Sequence, residues 1–247
     1  MDVETQLQLL RQIPYFRAVP LDDIAGVVRA LRIRRFKNGE VVFRTGDSSV
    51  GLHIVLSGRV RTVIASADGR EQVLKVFGPG RTFADISVFD DEPLPADAVA
   101  ITESSIAVLP RTQVIDLLKR HPDAAIEVIR LFASRLRAYK QLVEDLSLRS
   151  VAGRVAKLLI DRASGVETLV EESRTQRLTY TQDEIASMVG SVREVVQRAL
   201  KAFEHAGLVE IDRGRIQVID VAALSAWTSE QTIVQPLTPR AREWVQP

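Results

Sequence analysis

Apolar residues recur at helical spacing over residues 3–31, with Leu7 and Leu10, then Leu21, Ile24, Val27, Val28 and Leu31. Pro14 and Pro20 divide this stretch into two or three short helices. From residue 32 to 110 the period shortens to β-type runs at 33–36, 41–43, 52–56, 60–65, 72–77, 96–101 and 106–109. Glycines at 39, 46, 51, 58, 69, 78 and 80 punctuate the runs, so the chain reverses every few residues. Closure into a small β jelly roll, with the leading helices as a lid, is the prediction. A short helix is expected over 111–119, and after the break at His121-Pro122 a long one runs to about residue 148. Along it Ala125, Ile129, Phe132, Leu136, Tyr139, Val143 and Leu146 are spaced alternately by four and three, a heptad seam that predicts a paired helix. Val128, Leu131 and Leu142 form a second stripe able to face the chain's own barrel; a helix buried wholly within one chain is the alternative. Residues 147–154 read as a hinge, 151–163 as a helix and 164–176 as a polar, Glu-rich loop.

The stretch from Thr181 to Leu208 carries the clearest local signals. Thr181 precedes Glu184 by three residues and Ser191 precedes Glu194 by three, two capping-box patterns that would start two helices around the corner Val189-Gly190-Ser191. In the second helix Val192, Val195, Val196, Ala199, Leu200 and Phe203 share one side, with Arg193, Glu194, Gln197, Arg198 and Lys201 on the other. Gly207 ends it, and residues 208–211 turn through Asp212-Arg213-Gly214 into 215–219 as a hairpin. Helix, turn, helix and β-wing predict a winged helix-turn-helix whose second helix enters the major groove of double-stranded DNA. A solvated helix of mixed charge is the plainer alternative. Arginine suits the two acceptors of guanine and a carboxylate suits the amino donor of cytosine, so Arg193, Glu194 and Arg198 form a set able to read base edges. Thr181, Ser191, Gln197, Lys201, Arg213 and Arg215 complete the candidate DNA-binding set. A last helix is expected at 221–227, followed by a mostly unstructured tail at 228–247 with Trp244 as its one large anchor.

Composition narrows the chemistry. With 33 Lys+Arg against 32 Asp+Glu in 247 residues, attraction to a polyanion must come from a local surface and not from net charge. The absence of cysteine excludes disulfides, thiolate zinc sites and cysteine-ligated iron–sulfur clusters. No run of about 18 uncharged apolar residues occurs, so no membrane segment is expected and a cytoplasmic location fits. His53, His121 and His205 are the only imidazoles, and none is spaced as a metal motif. No nucleotide-loop, zincin or nucleophile-elbow pattern appears, so no enzyme signature competes.

Taken together, Lys37-Asn38-Gly39-Glu40 with Gly46-Asp47, the run from Ile54 to Val60, the long helix, Gly153-Arg154-Val155-Ala156 and the helix-turn-helix make the chain resemble the CRP/FNR family of bacterial transcription regulators over nearly its whole length. The resemblance implies an α+β architecture. An effector-sensing, cyclic-nucleotide-binding-like jelly roll would occupy residues 1–121, a dimerisation helix 122–148 and the winged helix-turn-helix 149–227. It places Arg193, Glu194 and Arg198 on the family's base-reading positions and implies TGTGA-like half-sites in a palindrome. It also assigns Ile129, Phe132, Leu136, Tyr139, Val143 and Leu146 to a homodimer interface. The effector pocket departs from the pattern. Cyclic-nucleotide-binding members carry Gly-Glu-Leu and, after a loop, Arg-Ser-Ala, where this chain has Ala84-Asp85-Ile86 and Leu94-Pro95-Ala96, with Tyr139-Lys140 in place of a small hydroxylic pair. Leucine cannot pair with a phosphate. Asp85, Ile86, Leu94 and Tyr139 are therefore expected to line an altered pocket that does not bind cAMP tightly. Haem is the minor cofactor option, and RNA polymerase and an unidentified small-molecule effector are the further candidate partners. A ligand-sensing module that acts on a partner protein is the alternative function.

Overall fold

A computed structural model describes residues 3–67, 69–164, 181–212 and 215–228. Most of the expected Glu-rich loop, Arg213 and the tail with Trp244 lie outside the described residues. The leading stretch forms α1 (Val3–Gln12), a 3-10 turn at Pro14–Phe16 and α2 (Leu21–Ala30). Both prolines sit where their missing N–H costs nothing, Pro14 at the first position of its turn and Pro20 capping α2.

Eight strands follow: β1 (Arg32–Phe36), β2 (Val41–Phe43), β3 (Gly51–Ser57), β4 (Val60–Ala65), β5 (Glu71–Phe77), β6 (Thr82–Phe83), β7 (Asp97–Ala100) and β8 (Ser104–Pro110), with a one-turn helix α3 (Ile86–Phe89) after β6. They pair antiparallel into two four-stranded sheets ordered β1-β8-β3-β6 and β2-β7-β4-β5, a jelly roll. β6 and α3 are too short to show any periodicity and were not anticipated from the sequence. β3 is buried on both faces, which explains its unbroken apolar run. Leu52, Ile54 and Leu56 face a core shared with α1, α2 and the helices after the barrel. Val55 joins Phe36, Val60, Phe77, Phe83 and Ile106 in the barrel interior. The turn out of β3 needs a glycine: Gly58 has φ +78°, and a Cβ there would lie 2.3 Å from the Glu103 carbonyl oxygen.

After β8 come α4 (Arg111–Arg120) and the 27-residue α5 (Pro122–Leu148), which carries a proline in its first turn. Val128 and Leu142 of α5 are buried, and Leu131 packs on the lid core, as the second stripe predicted. The heptad seam itself divides. Ile129, Leu136 and Val143 stand 62%, 71% and 62% exposed, whereas Phe132, Tyr139 and Leu146 are half-buried against their own chain. Arg149 leaves helical geometry, and Ser150 Oγ accepts from the Gly153 N–H at 3.0 Å to open α6 (Val151–Ala163).

The remainder is α7 (Gln182–Val189), α8 (Arg193–His205), the hairpin β9 (Val209–Asp212) with β10 (Arg215–Val218), and α9 (Val221–Thr228). Val155, Leu159, Ile185, Val196, Leu200, Phe203 and Leu224 form its separate core, closed by Trp227 edge-on to Phe203 at 5.1 Å. This unit is docked on the barrel. Met188 packs with Val63, Val73 and Val76 of the β4-β5 surface, Gln72 Nε2 donates to the Met188 carbonyl at 3.2 Å, and Arg61 Nη1 donates to Ser187 Oγ at 3.4 Å.

Candidate nucleic-acid interface and effector cavity

The corner that aims α8 is built from opposite cap chemistries. Thr181 and Glu184 close a full capping box, the Glu184 N–H on Thr181 Oγ1 at 3.2 Å and the Thr181 N–H on Glu184 Oε2 at 2.7 Å. Gly190 ends α7 in the left-handed region at φ +62°. The second expected capping box does not form. The Ser191 N–H turns back to the Ala186 carbonyl at 2.9 Å, which makes Ser191 part of the end of α7. The extended residue Val192 becomes the N-cap of α8 without a side-chain bond. Val192 is accordingly 40% exposed and does not belong to the buried face assigned to it from spacing.

One turn into α8 the two faces separate as the pattern requires. Val196, Ala199, Leu200 and Phe203 are buried, and Arg193, Glu194, Gln197, Arg198 and Lys201 are all exposed on the outer surface. Thr181 is exposed but its hydroxyl serves the cap, Ser191 is half-buried, and Arg215 opens β10. Arg193 Nη1 lies 3.6 Å from Asp183 Oδ2, with both side chains mostly in solvent, a contact too exposed to hold the arginine. The surface presents an arginine, a carboxylate and a second arginine within two turns, groups whose donors and acceptors match guanine and cytosine edges.

Asp85, Ile86, Leu94 and Tyr139 line one cavity of about 490 Å³ between the barrel and α5. Its wall is otherwise made by Phe43, Leu74, Phe77, Phe83, Phe132 and neighbouring apolar groups. Ala84, where the resemblance implies a glycine, takes a left-handed φ of +57°. Arg135, missed from the sequence, dominates the cavity's electrostatics. It pairs with the buried Asp85 carboxylate, and its Nη2 donates to the Thr82 carbonyl at 2.6 Å. Asp85 Oδ2 also accepts from Tyr15 Oη and Thr82 Oγ1, each at 3.3 Å. The sequence held one clue: Arg135 stands three residues after Phe132 and four before Tyr139, a charge on the inward face of α5. Lys140 points away and pairs with Glu144.

The histidines do not gather. His53 is buried in β3, its Nδ1–H donating to the Gly51 carbonyl at 3.0 Å, and burial lowers its pKa to about 4. His121 Nε2 lies 3.0 Å from Asp23, and His205 is exposed at the end of α8. No group of three or more metal-binding side chains occurs among the described residues. None of the described helices is long and apolar enough to cross a membrane.

The cyclic nucleotide-binding domain family matches residues 33–121, and the Crp-like helix-turn-helix domain family matches residues 153–227. A CRP-like cAMP-activated global transcriptional regulator of Mycobacterium tuberculosis is 32% identical over 220 residues, 88% of this chain and 97% of that protein. The chain belongs to the CRP/FNR family. Among other CRP/FNR relatives, a cyclic AMP receptor protein of Thermus thermophilus is 28% identical over 85% of this chain and 94% of its own length. The c-di-GMP-responsive global regulator CLP of Xanthomonas campestris has the same fold, with a TM-score of 0.70 at 23% identity, over 81% of this chain and 99% of that one. As a CRP/FNR member with a Crp-like helix-turn-helix, the protein is a DNA-binding transcription regulator, and its relatives are named as regulators and not as enzymes.

Proposed function

We propose that the protein acts in the cytoplasm as a symmetric homodimer that reads a palindromic promoter site with TGTGA-like half-sites and is not controlled by cAMP. The exposed ladder on α5 carries the reading: Ile129, Leu136 and Val143, seven residues apart, form an apolar strip that a second copy of the same helix would cover. At 1.5 Å per residue α5 is roughly 40 Å long, comparable to the roughly 34 Å between recognition helices in successive major grooves. Arg193, Glu194 and Arg198 then read base edges, while Thr181, Ser191, Gln197, Lys201, Arg213 and Arg215 serve the backbone and neighbouring bases. RNA polymerase is the natural further partner of a regulator seated at a promoter.

Charge disfavours cAMP in this cavity. Arg135 is the cavity's one cation among the described residues, and it is committed to Asp85 and Thr82. A cyclic phosphate would have to break that pair and leave a buried carboxylate uncompensated. The Mycobacterium tuberculosis relative is named as cAMP-activated, so the two proteins would differ in their signal and share their output.

A gel shift on palindromic DNA tests the DNA half of the proposal. Arg193→Ala and Arg198→Ala are each expected to weaken binding by about 1–3 kcal/mol, chiefly at one base position. Unaltered binding by both variants would reject the assignment of α8 as the reading helix.

A further inference from the structure

Five of the chain's aromatic rings, those of Phe43, Phe77, Phe83, Phe132 and Tyr139, are gathered on the wall of the cavity between the barrel and α5. Phe43 and Phe83 stack at 5.9 Å between centroids, and Phe77 lies 5.5 Å from Phe83, so the inner end is an aromatic lining continuous with the barrel core. The volume of about 490 Å³ falls in the range of small-molecule sites.

The polar groups in the wall divide into committed and uncommitted ones. Asp85 and Arg135 pair with each other and are further bonded to Tyr15 and Thr82. Thr62 Oγ1 donates to the Lys75 carbonyl. The Tyr139 hydroxyl makes no hydrogen bond among the described residues. Burial raises the Tyr139 pKa, so the phenol stays neutral and able both to donate and to accept. A charged ligand of either sign would have to displace a member of the Asp85–Arg135 pair to gain a charged partner for its desolvation.

We infer that this cavity binds an uncharged, predominantly aromatic small molecule carrying one hydrogen-bonding group, which lies against the phenylalanine lining and bonds the Tyr139 hydroxyl. The inference rests on the reading of the cavity as the effector site. It does not depend on DNA binding; Ile129 and Leu136 of the proposed dimer strip also line the cavity, so pairing of α5 would bear on it. Offset or edge-on ring contacts supply affinity beyond area burial, and the single polar contact fixes orientation.

Titration of the full-length protein with 1-naphthol, followed by the ligand's fluorescence, tests it without DNA. One saturable site per protomer is expected. Tyr139→Phe should weaken 1-naphthol roughly three- to tenfold, the range one net hydrogen bond supplies, and leave 1-methylnaphthalene unchanged. Ile86→Trp places an indole at a rim position that is already 46% exposed and off α5, and should abolish binding while circular dichroism reports an intact fold. Neither cAMP nor haemin, with their phosphate and propionates, should displace the naphthol.

Four results would overturn the proposal: no saturable binding to the folded protein, undiminished binding by a folded Ile86→Trp variant, tighter binding of 1-naphthalenesulfonate than of 1-naphthol, or displacement by cAMP or haemin. If Ile86→Trp does not fold, the Tyr139→Phe comparison decides alone, an equal loss for both naphthalenes counting against the proposal. Loss of DNA binding with intact naphthol binding would instead reject the proposed promoter reading and leave this one standing.

Discussion

Asp85 shows how one residue identity can be legible in a sequence while its role is not. Its place in an altered effector cassette marked it as a pocket residue, and it does line the cavity, but it faces Arg135, fifty residues away, and not solvent or an open ligand position. No local spacing connects the two. Asp85→Ala would strand a guanidinium whose side chain is only 12% exposed, and a loss of about 3–5 kcal/mol is expected in urea unfolding. Replacing both partners with apolar residues, Asp85→Leu with Arg135→Met, should cost less than the single change. His53 makes a pH prediction. Its pKa is lowered to about 4 in the folded chain, against about 6.5 when unfolded, so its contribution is fully present above 6.5 and lost as the pH falls toward 4. Between pH 7 and pH 5 the wild type should lose roughly 2 kcal/mol that His53→Gln does not, read from unfolding curves at each pH.

Among the elements, those legible in advance had either period or punctuation. The seven longer strands were visible because glycine turns separate apolar runs, and α5 because its stripes persist for 27 residues. The β6 strand and α3 escaped because two and four residues carry no period. The α7–α8 corner was legible as a corner and misread at one cap, since a Ser-x-x-Glu pattern fits two geometries and the left-handed Gly190 drew Ser191 into the preceding helix. The two caps therefore predict unequal mutants. Thr181→Ala should cost about 1 kcal/mol, and Ser191→Ala no more than a few tenths, roughly the value of an ordinary surface change. Thermal unfolding of the pair measures this, and equal losses would restore the second capping box.

For the whole molecule, what the sequence could not display is how its units meet, because docking joins residues more than a hundred positions apart, such as Arg61 with Ser187 and Gln72 with Met188. The heptad spacing on α5 was legible in the sequence, and only three positions of the proposed dimer strip face outward. Leu136→Glu places a charge at the most exposed of them. It should halve the mass measured by light scattering and weaken operator binding sharply, without lowering the thermal midpoint of the single chain. Arg154 adds a mechanical consequence. Its guanidinium donates to the Leu146 and Arg149 carbonyls at the end of α5 and to the Val189 and Gly190 carbonyls at the corner before α8. One side chain thus rivets the shaft of the molecule to the heel of the proposed reading helix. On the proposed reading, a twist introduced along that shaft would be delivered to the groove with little slack, and an Arg154→Lys protein, able to hold one or two of the four oxygens, would steer loosely even while folded.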